Sequence, residues 1–221
     1  MTARGVGLEE ALARLAGDGL VAYPTETVWG LGAAAARAAA VARLRAWKGR
    51  GEDHALAVLV PDASALEALG AELGAPARAL AARFWPGPLT LVVRCAARFA
   101  PGVAAPDGSV GFRCSPHPAA AALVRAAFAE GLGPLTATSL NRSGAPPARG
   151  RAEAAALCEG PDAPALLDGP WPDAGRLAPS SVVDATRAAP RVLREGALPA
   201  RVLLETAAAA AAPGSAAQET P

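Results

Sequence analysis

The sequence predicts an α/β fold: one domain in which a twisted sheet of mixed parallel and antiparallel strands is flanked by helices. Apolar runs of strand length alternate with stretches of helical spacing along the chain. The intervals between them are short, which argues against a purely parallel sheet with its long crossovers. At 221 residues the chain can bury one sizeable core and is too short for two ordinary domains.

Taken in order, Leu8, Leu12 and Leu15 recur at helical spacing between Gly7 and Gly17, and glycine ends the helix. Leu20 to Tyr23 is a short strand closed by Pro24. The turn-rich passage Pro24 to Gly32 opens into an alanine-rich helix over Ala38–Trp47, which stops at Lys48-Gly49-Arg50. Ala55 to Val60 predicts a buried strand bounded by Pro61, followed by short helices near Ala63–Leu69 and Pro76–Phe84. Pro86-Gly87-Pro88 breaks the chain before a strand over Leu89–Arg94. A second strand, Val110–Cys114, leads through Pro116-His117-Pro118 into a helix over Ala119–Ala129. Pro134–Ser139 predicts another strand, and Arg151–Cys158 a helix. Short strands recur at Ala165–Asp168, Ser181–Asp184 and Arg191–Arg194. The domain is expected over residues 1–204. The alanine-rich stretch 205–221 reads as a low-complexity, disordered tail.

Composition excludes several functional classes. Hydrophobic residues make up 52% but aromatics only 4%, so the core is expected from Leu, Val and Ala. Cys95, Cys114 and Cys158 are odd in number and far apart, which argues against a disulfide framework or a CxxC metal site. His54 and His117 are the only histidines, so no structural metal is expected. No apolar run has the length of a membrane span, and Met1 to Glu10 lacks a signal-peptide core. A reducing cytoplasm is the expected location. The net charge of +1 gives no global pull toward nucleic acid or membrane.

Residue usage is uneven. The 21 basic residues include one lysine, Lys48, and the chain has one asparagine, Asn141, and no isoleucine. A GC-rich coding bias would replace lysine by arginine wherever either serves. A lysine that persists suggests a need for a compact ammonium rather than a planar guanidinium.

Five polar stretches stand at strand or helix ends, where α/β proteins place ligands: PTETVWGLG, KGR, VGFRCSPHP, TSLNRSG and APSSVVDATR, with LREG just beyond. They offer hydroxyls (Thr25, Thr27, Ser139, Ser180) and cations (Lys48, Arg50, Arg113, Arg194). Such a set suits a polyphosphate, with catalysis by positioning and charge neutralisation. Singly, each stretch also has an ordinary reading. Lys48-Gly49-Arg50 can be a helix C-terminus with its glycine cap, Arg113 a salt-bridging strand residue, and His117 a structural turn residue. Asn141 with Ser143-Gly144 can be an Asx-type turn. There is no GxxxxGK[ST] loop, so any ATP is held in another way.

Together and in order, the stretches resemble the YrdC/TsaC family of threonylcarbamoyl-AMP synthases, of YrdC/DHBP synthase-like fold, over roughly Leu8 to Leu204. PTETVWGLG is similar to the family's PTET(V)YGLG, KGR to KxR, and Phe84–Val93 to its FWPGPLT strand. VGFRCSPHP is similar to VGxRxPxHP, TSLNRSG to SxNxSG, and PSSVVD with LREG to PSTVVD with LRxG. The resemblance implies condensation of L-threonine, bicarbonate and ATP into threonylcarbamoyl-AMP and pyrophosphate. A partner transferase then carries the threonylcarbamoyl group to the tRNA adenosine beside the anticodon. It also implies Lys48 and Arg50 as catalytic, neutralising phosphate and the carboxylated amine. Thr27, His117, Ser139 and Ser180 would hold threonine, and Lys48, Arg50, Arg113, Asn141 and Arg194 would hold ATP. Mg²⁺ is expected with the triphosphate. With the charge near neutral, any direct contact with tRNA is expected to be weak, and no membrane contact is expected.

Departures from the family pattern are Trp29 for tyrosine, Gly51 and Ala55 for prolines, Leu140 for a small residue, and Arg149 where hydroxyls are common. They leave open a nucleotide-binding paralogue without turnover. An RNA-binding module is a second alternative, disfavoured by one tyrosine and little net charge. A carbamoyl-phosphate adenylating domain is a third, disfavoured by the missing zinc-finger-like cysteines.

Overall fold

The computed structural model describes residues 4–49, 55–175 and 177–211. The first half of the chain forms α1 (Leu8–Ala16), β1 (Val21–Tyr23), β2 (Gly30–Gly32), α2 (Ala38–Lys48), β3 (Val58–Leu59), α3 (Ser64–Ala68), α4 (Ala75–Phe84) and β4 (Leu89–Arg94). The second half forms β5 (Ser109–Arg113), α5 (Pro118–Ala129), β6 (Leu135–Thr136), β7 (Thr138–Ser139), α6 (Arg151–Leu157), β8 (Ala165–Leu166), β9 (Ser181–Asp184), β10 (Arg191–Arg194) and α7 (Ala200–Ala211). The fold is α/β in one domain, as the sequence predicts, with parallel and antiparallel pairs mixed.

The strands form two sheets rather than one. The larger runs β10-β9-β4-β5-β3-β6 and the smaller β7-β2-β1-β8. The predicted strand over 134–139 is where they diverge. Its first half, β6, pairs with β3 in the large sheet. At the join Ala137 donates its N–H to the Ala57 carbonyl at 2.6 Å, and β7 then pairs with β2 in the small sheet. One segment crosses from sheet to sheet and delivers Thr138 and Ser139 to the gap between them.

Alternation along the central strands divides core from cleft, because successive side chains leave a strand on opposite faces. Leu89, Leu91 and Val183 pack under Leu80 and Ala81 of α4 and Leu203 and Ala207 of α7. The intervening Thr90, Val92 and Val182 face the cleft, as do Ser109, Gly111 and Arg113 of β5. On the other side, Leu12 and Leu15 of α1 and Leu123 and Val124 of α5 pack with Val21, Tyr23 and Leu135. The third cluster seats Val41, Leu44 and Trp47 of α2 against Trp29 and Leu31. Among the described residues no helix is long and apolar enough to cross a membrane.

Strand β2 was not foreseen, since its sequence is Gly-Leu-Gly and glycine weakens a strand. The structure shows why glycine stands there. The Tyr23 ring lies across both positions, and a Cβ on Gly30 would come within 2.8 Å of Tyr23 Cε2. Leu31 between them is fully buried.

The expected tail also needs correction over the described residues. Helix α7 runs through residue 204 to Ala211, with Leu203, Thr206 and Ala207 buried. Alanine favours helix, and Leu203 and Ala207 are four apart, so both face α4. Arg83 of α4 donates to Thr206 Oγ1 at 3.1 Å. Ending the chain after Leu204 removes this hydrogen bond and the buried Ala207 methyl. That truncation is expected to cost about 1–2 kcal/mol in chemical denaturation, whereas ending it after Ala211 keeps both contacts; an unchanged midpoint after Leu204 would show that α7 packs without these residues.

Candidate active site

Between the two sheets lies a cleft of about 670 Å³, lined by Thr25, Thr27, Arg113, Ser139, Ser180 and Arg194 among others. Among the described residues, PTETVWGLG, VGFRCSPHP, TSLNRSG, APSSVVDATR and LREG each supply a wall residue. The size falls within the range of about 300–1,000 Å³ common for small-molecule sites. Alanines 55, 57, 105 and 137 with Val92, Val182 and Leu193 make the rest of the wall largely apolar.

One side is built around Arg113. Its guanidinium donates to Glu26 Oε1 at 2.7 Å, to Thr27 Oγ1 at 2.8 Å and to Thr25 Oγ1 at 3.4 Å. The second oxygen of Glu26 accepts from Ser115 Oγ. Thr25 Oγ1 donates to the Val28 carbonyl at 2.6 Å, closing the turn that carries both threonines. Arg113 Nε and Ser180 Oγ are buried without a hydrogen-bond partner. Buried polar atoms are rarely left unpaired, so two of them at one cleft mark where a polar ligand would bind. Arg194 donates to the Ser180 carbonyl at 2.7 and 3.2 Å. Burial, and then the neighbouring Arg113 charge, hold its guanidinium below its usual range. Two cations that disfavour one another in a half-closed cleft favour an anion between them.

The loop after β7 forms the adjoining wall. Lys48, only 3% exposed, extends from the last turn of α2 and donates to the Ser139 carbonyl at 2.6 Å and to Asn141 O and Oδ1, each at 3.0 Å. Three acceptors converging on one point suit an ammonium rather than a planar guanidinium. Gly49, at φ 65°, ends the helix in the left-handed conformation that glycine adopts freely. Asn141 Oδ1 also accepts from Ser139 Oγ at 2.6 Å, and Nδ2 donates to Arg142 O and Ala145 O. Asn141 is therefore spent within the loop, and neither it nor Lys48 is among the cleft's lining residues. Arg50, the remaining sequence candidate, and Gly51 lie outside the described residues.

His117 does not line the cleft. It caps α5, with Nδ1 accepting from the Ala119 N–H at 3.2 Å, and its Nε2 faces the Pro172 carbonyl at 3.2 Å. This pairing assigns the proton to Nε2. Burial holds the imidazole below its usual 6.5. The unfolded chain therefore takes up a proton first as pH falls, so the stability from neutral His117 is complete above pH 6.5 and declines below it. His117→Asn retains a cap acceptor and is expected to flatten this part of the pH–stability profile. An unaltered profile would mean that His117 does not titrate differently on folding.

Two departures noted in the sequence take other places. Leu140 is fully buried in the core rather than narrowing the cleft, and its N–H donates to Trp29 O at 2.8 Å. Trp29 is 2% exposed, and its indole N–H donates to Asp173 Oδ1 at 2.8 Å. The sequence reading missed Glu26 and Ser115, although both sit inside stretches it had marked.

The sequence model of the Sua5/YciO/YrdC family, described as telomere recombination, matches residues 13–196. The chain belongs to this family. Among Sua5/YciO/YrdC relatives, the threonylcarbamoyl-AMP synthase of Chromohalobacter salexigens is 40% identical over 177 residues, covering 80% of this chain and 91% of that one. The crystal structure of P. abyssi Sua5 complexed with L-threonine superposes with a TM-score of 0.80 at 33% identity. It covers 90% of this chain, which spans 56% of that Sua5 chain. E. coli YciO, at 22% identity and a TM-score of 0.72, shares the fold.

Proposed function

We propose that this chain is an L-threonylcarbamoyladenylate synthase. It condenses L-threonine, bicarbonate and ATP into threonylcarbamoyl-AMP and pyrophosphate, with loss of water, for N6-threonylcarbamoyladenosine modification of tRNA. The carrying observation is the convergence of Arg113, Arg194, Thr27, Ser139 and Ser180 on one cleft. Membership of a family that includes threonylcarbamoyl-AMP synthases and the threonine-bound Sua5 relative support the substrate assignment.

In this reading Arg113 and Arg194 hold the triphosphate, and the buried Ser180 hydroxyl with Thr27 orients threonine. Its carboxylated amine attacks the α-phosphorus, forming the new P–O bond as the bond to the β-phosphate breaks. The cations offset the negative charge that attacker and phosphate share. Lys48 adds positive charge directly behind Ser139 while fixing the loop, and Arg50 is proposed as its partner. Magnesium, arriving with ATP, would add positive charge at the triphosphate beside Arg113 and Arg194. A threonylcarbamoyl transferase would take the product onward to tRNA.

The test is release of pyrophosphate from MgATP in bicarbonate buffer, with serine and glycine as controls and product mass measured directly. Release that requires both threonine and bicarbonate is expected. Equal release with glycine, or none with threonine, would contradict the proposal.

A further inference from the structure

The loop carrying Ser139 and Asn141 must hold its place against α2 while one of its faces is open to ligand. Lys48 alone reads as its anchor, but the structure contains a second connection running in the opposite direction. The last carbonyls of a helix have no partner within the helix. Here the Trp47 carbonyl accepts from the Arg142 guanidinium, and the Lys48 carbonyl accepts from the Ser143 N–H at 2.7 Å. The Arg142 guanidinium also lies over the Trp47 ring, 4.3 Å from its centre. A cation at a helix C-terminus is favourable, and stacking on an indole face adds to it.

We infer that Arg142 is a positioning residue: it caps α2 from the loop side and so sets the register in which Lys48 meets Ser139 and Asn141. The contacts are reciprocal. Helix α2 sends Lys48 into the loop, and the loop returns Arg142 and Ser143 to the end of α2. The Arg142 carbonyl accepts from Asn141 Nδ2 at 3.0 Å and from the Ala145 N–H at 3.0 Å. A shift of Arg142 therefore moves the asparagine beside the cleft. Arg142 is exposed, and from sequence it reads as a surface charge.

The inference rests on the synthase reading for its kinetic consequence, while its structural consequence can be measured independently. In Arg142→Ala, hydrogen exchange of the full chain should speed about tenfold at the Ser143 and Ala145 amides, with the melting temperature close to wild type. The kcat for pyrophosphate release should fall by about tenfold to a hundredfold, with the KM for threonine little changed. Arg142→Lys keeps the charge at the helix end and should recover part of the loss. In a Lys48→Gln background, expected to keep low but measurable turnover, Arg142→Ala should change kcat by less than about twofold, because the effect passes through Lys48. The same fold loss in both backgrounds, or an unchanged kcat in Arg142→Ala, would overturn the positioning role. Unchanged exchange at Ser143 would overturn the clamp itself. An inactive wild type would sink the synthase reading, with the exchange result still deciding whether the clamp exists.

Discussion

Lys48→Ala is expected to lower threonine-dependent pyrophosphate release by about 10²-fold, the order of loss when a small displacement misplaces the groups that hold a substrate. The ammonium is buried against three oxygens, Ser139 O, Asn141 O and Asn141 Oδ1. Its loss leaves those acceptors facing one another and removes positive charge from behind the cleft wall. Lys48→Arg should also be impaired, since a forked, planar group cannot place all its donors at one point. A steady-state assay with folding followed by circular dichroism checks both variants. A wild-type rate in Lys48→Arg would remove the point-charge requirement, and a wild-type rate in Lys48→Ala would remove the role altogether.

Arg113→Ala should damage binding and stability together, and the two losses can be separated. Arg113 and Glu26 pair at 2.7 Å with side chains only 13% and 11% exposed. Removing one partner from such a pair leaves a charge without compensation, at about 3–5 kcal/mol. It also removes the group that spans Thr25, Thr27 and Glu26, so the KM for ATP should rise as stability falls. In Arg113→Ala/Glu26→Gln the unpaired charge is gone, and stability should largely return while activity does not. Thermal denaturation beside steady-state kinetics reads both. If the double variant recovered activity as well, Arg113 would be serving the fold rather than the substrate.

Much of the site was legible because two kinds of signal survive in a single chain. Strand-length apolar patterning is local, so Leu89–Arg94 and Val110–Cys114 could be placed, and the structure ends the second of them at Arg113. The composition bias isolated Lys48 and Asn141, and the structure joins these two residues at 3.0 Å. What escaped depends on contacts distant in sequence. Strand β2 exists because the Tyr23 ring needs two glycines beside it. The break between β6 and β7 exists because their partners, Val58 and Gly30, belong to different sheets. The helical identity of α7 depends on α4, more than a hundred residues earlier. Glu26 was hidden by its position between two threonines that drew the attention. Its role depends on Arg113 and Ser115, nearly ninety residues away. His117 has two readings in the sequence, a threonine contact through family resemblance and a structural turn residue, and the fold places it as the cap of α5. Arg142 carries no sequence signal that separates it from the other arginines.

The most direct measurement is a crystal structure of this chain with L-threonine and a non-hydrolysable ATP analogue. The expected result places the phosphates against Arg113 and Arg194 and the amino acid within reach of the Ser180 hydroxyl and Thr27, both ligands in the space between the two sheets. Ligands seated elsewhere, with that space empty at saturating concentration, would contradict the assignment.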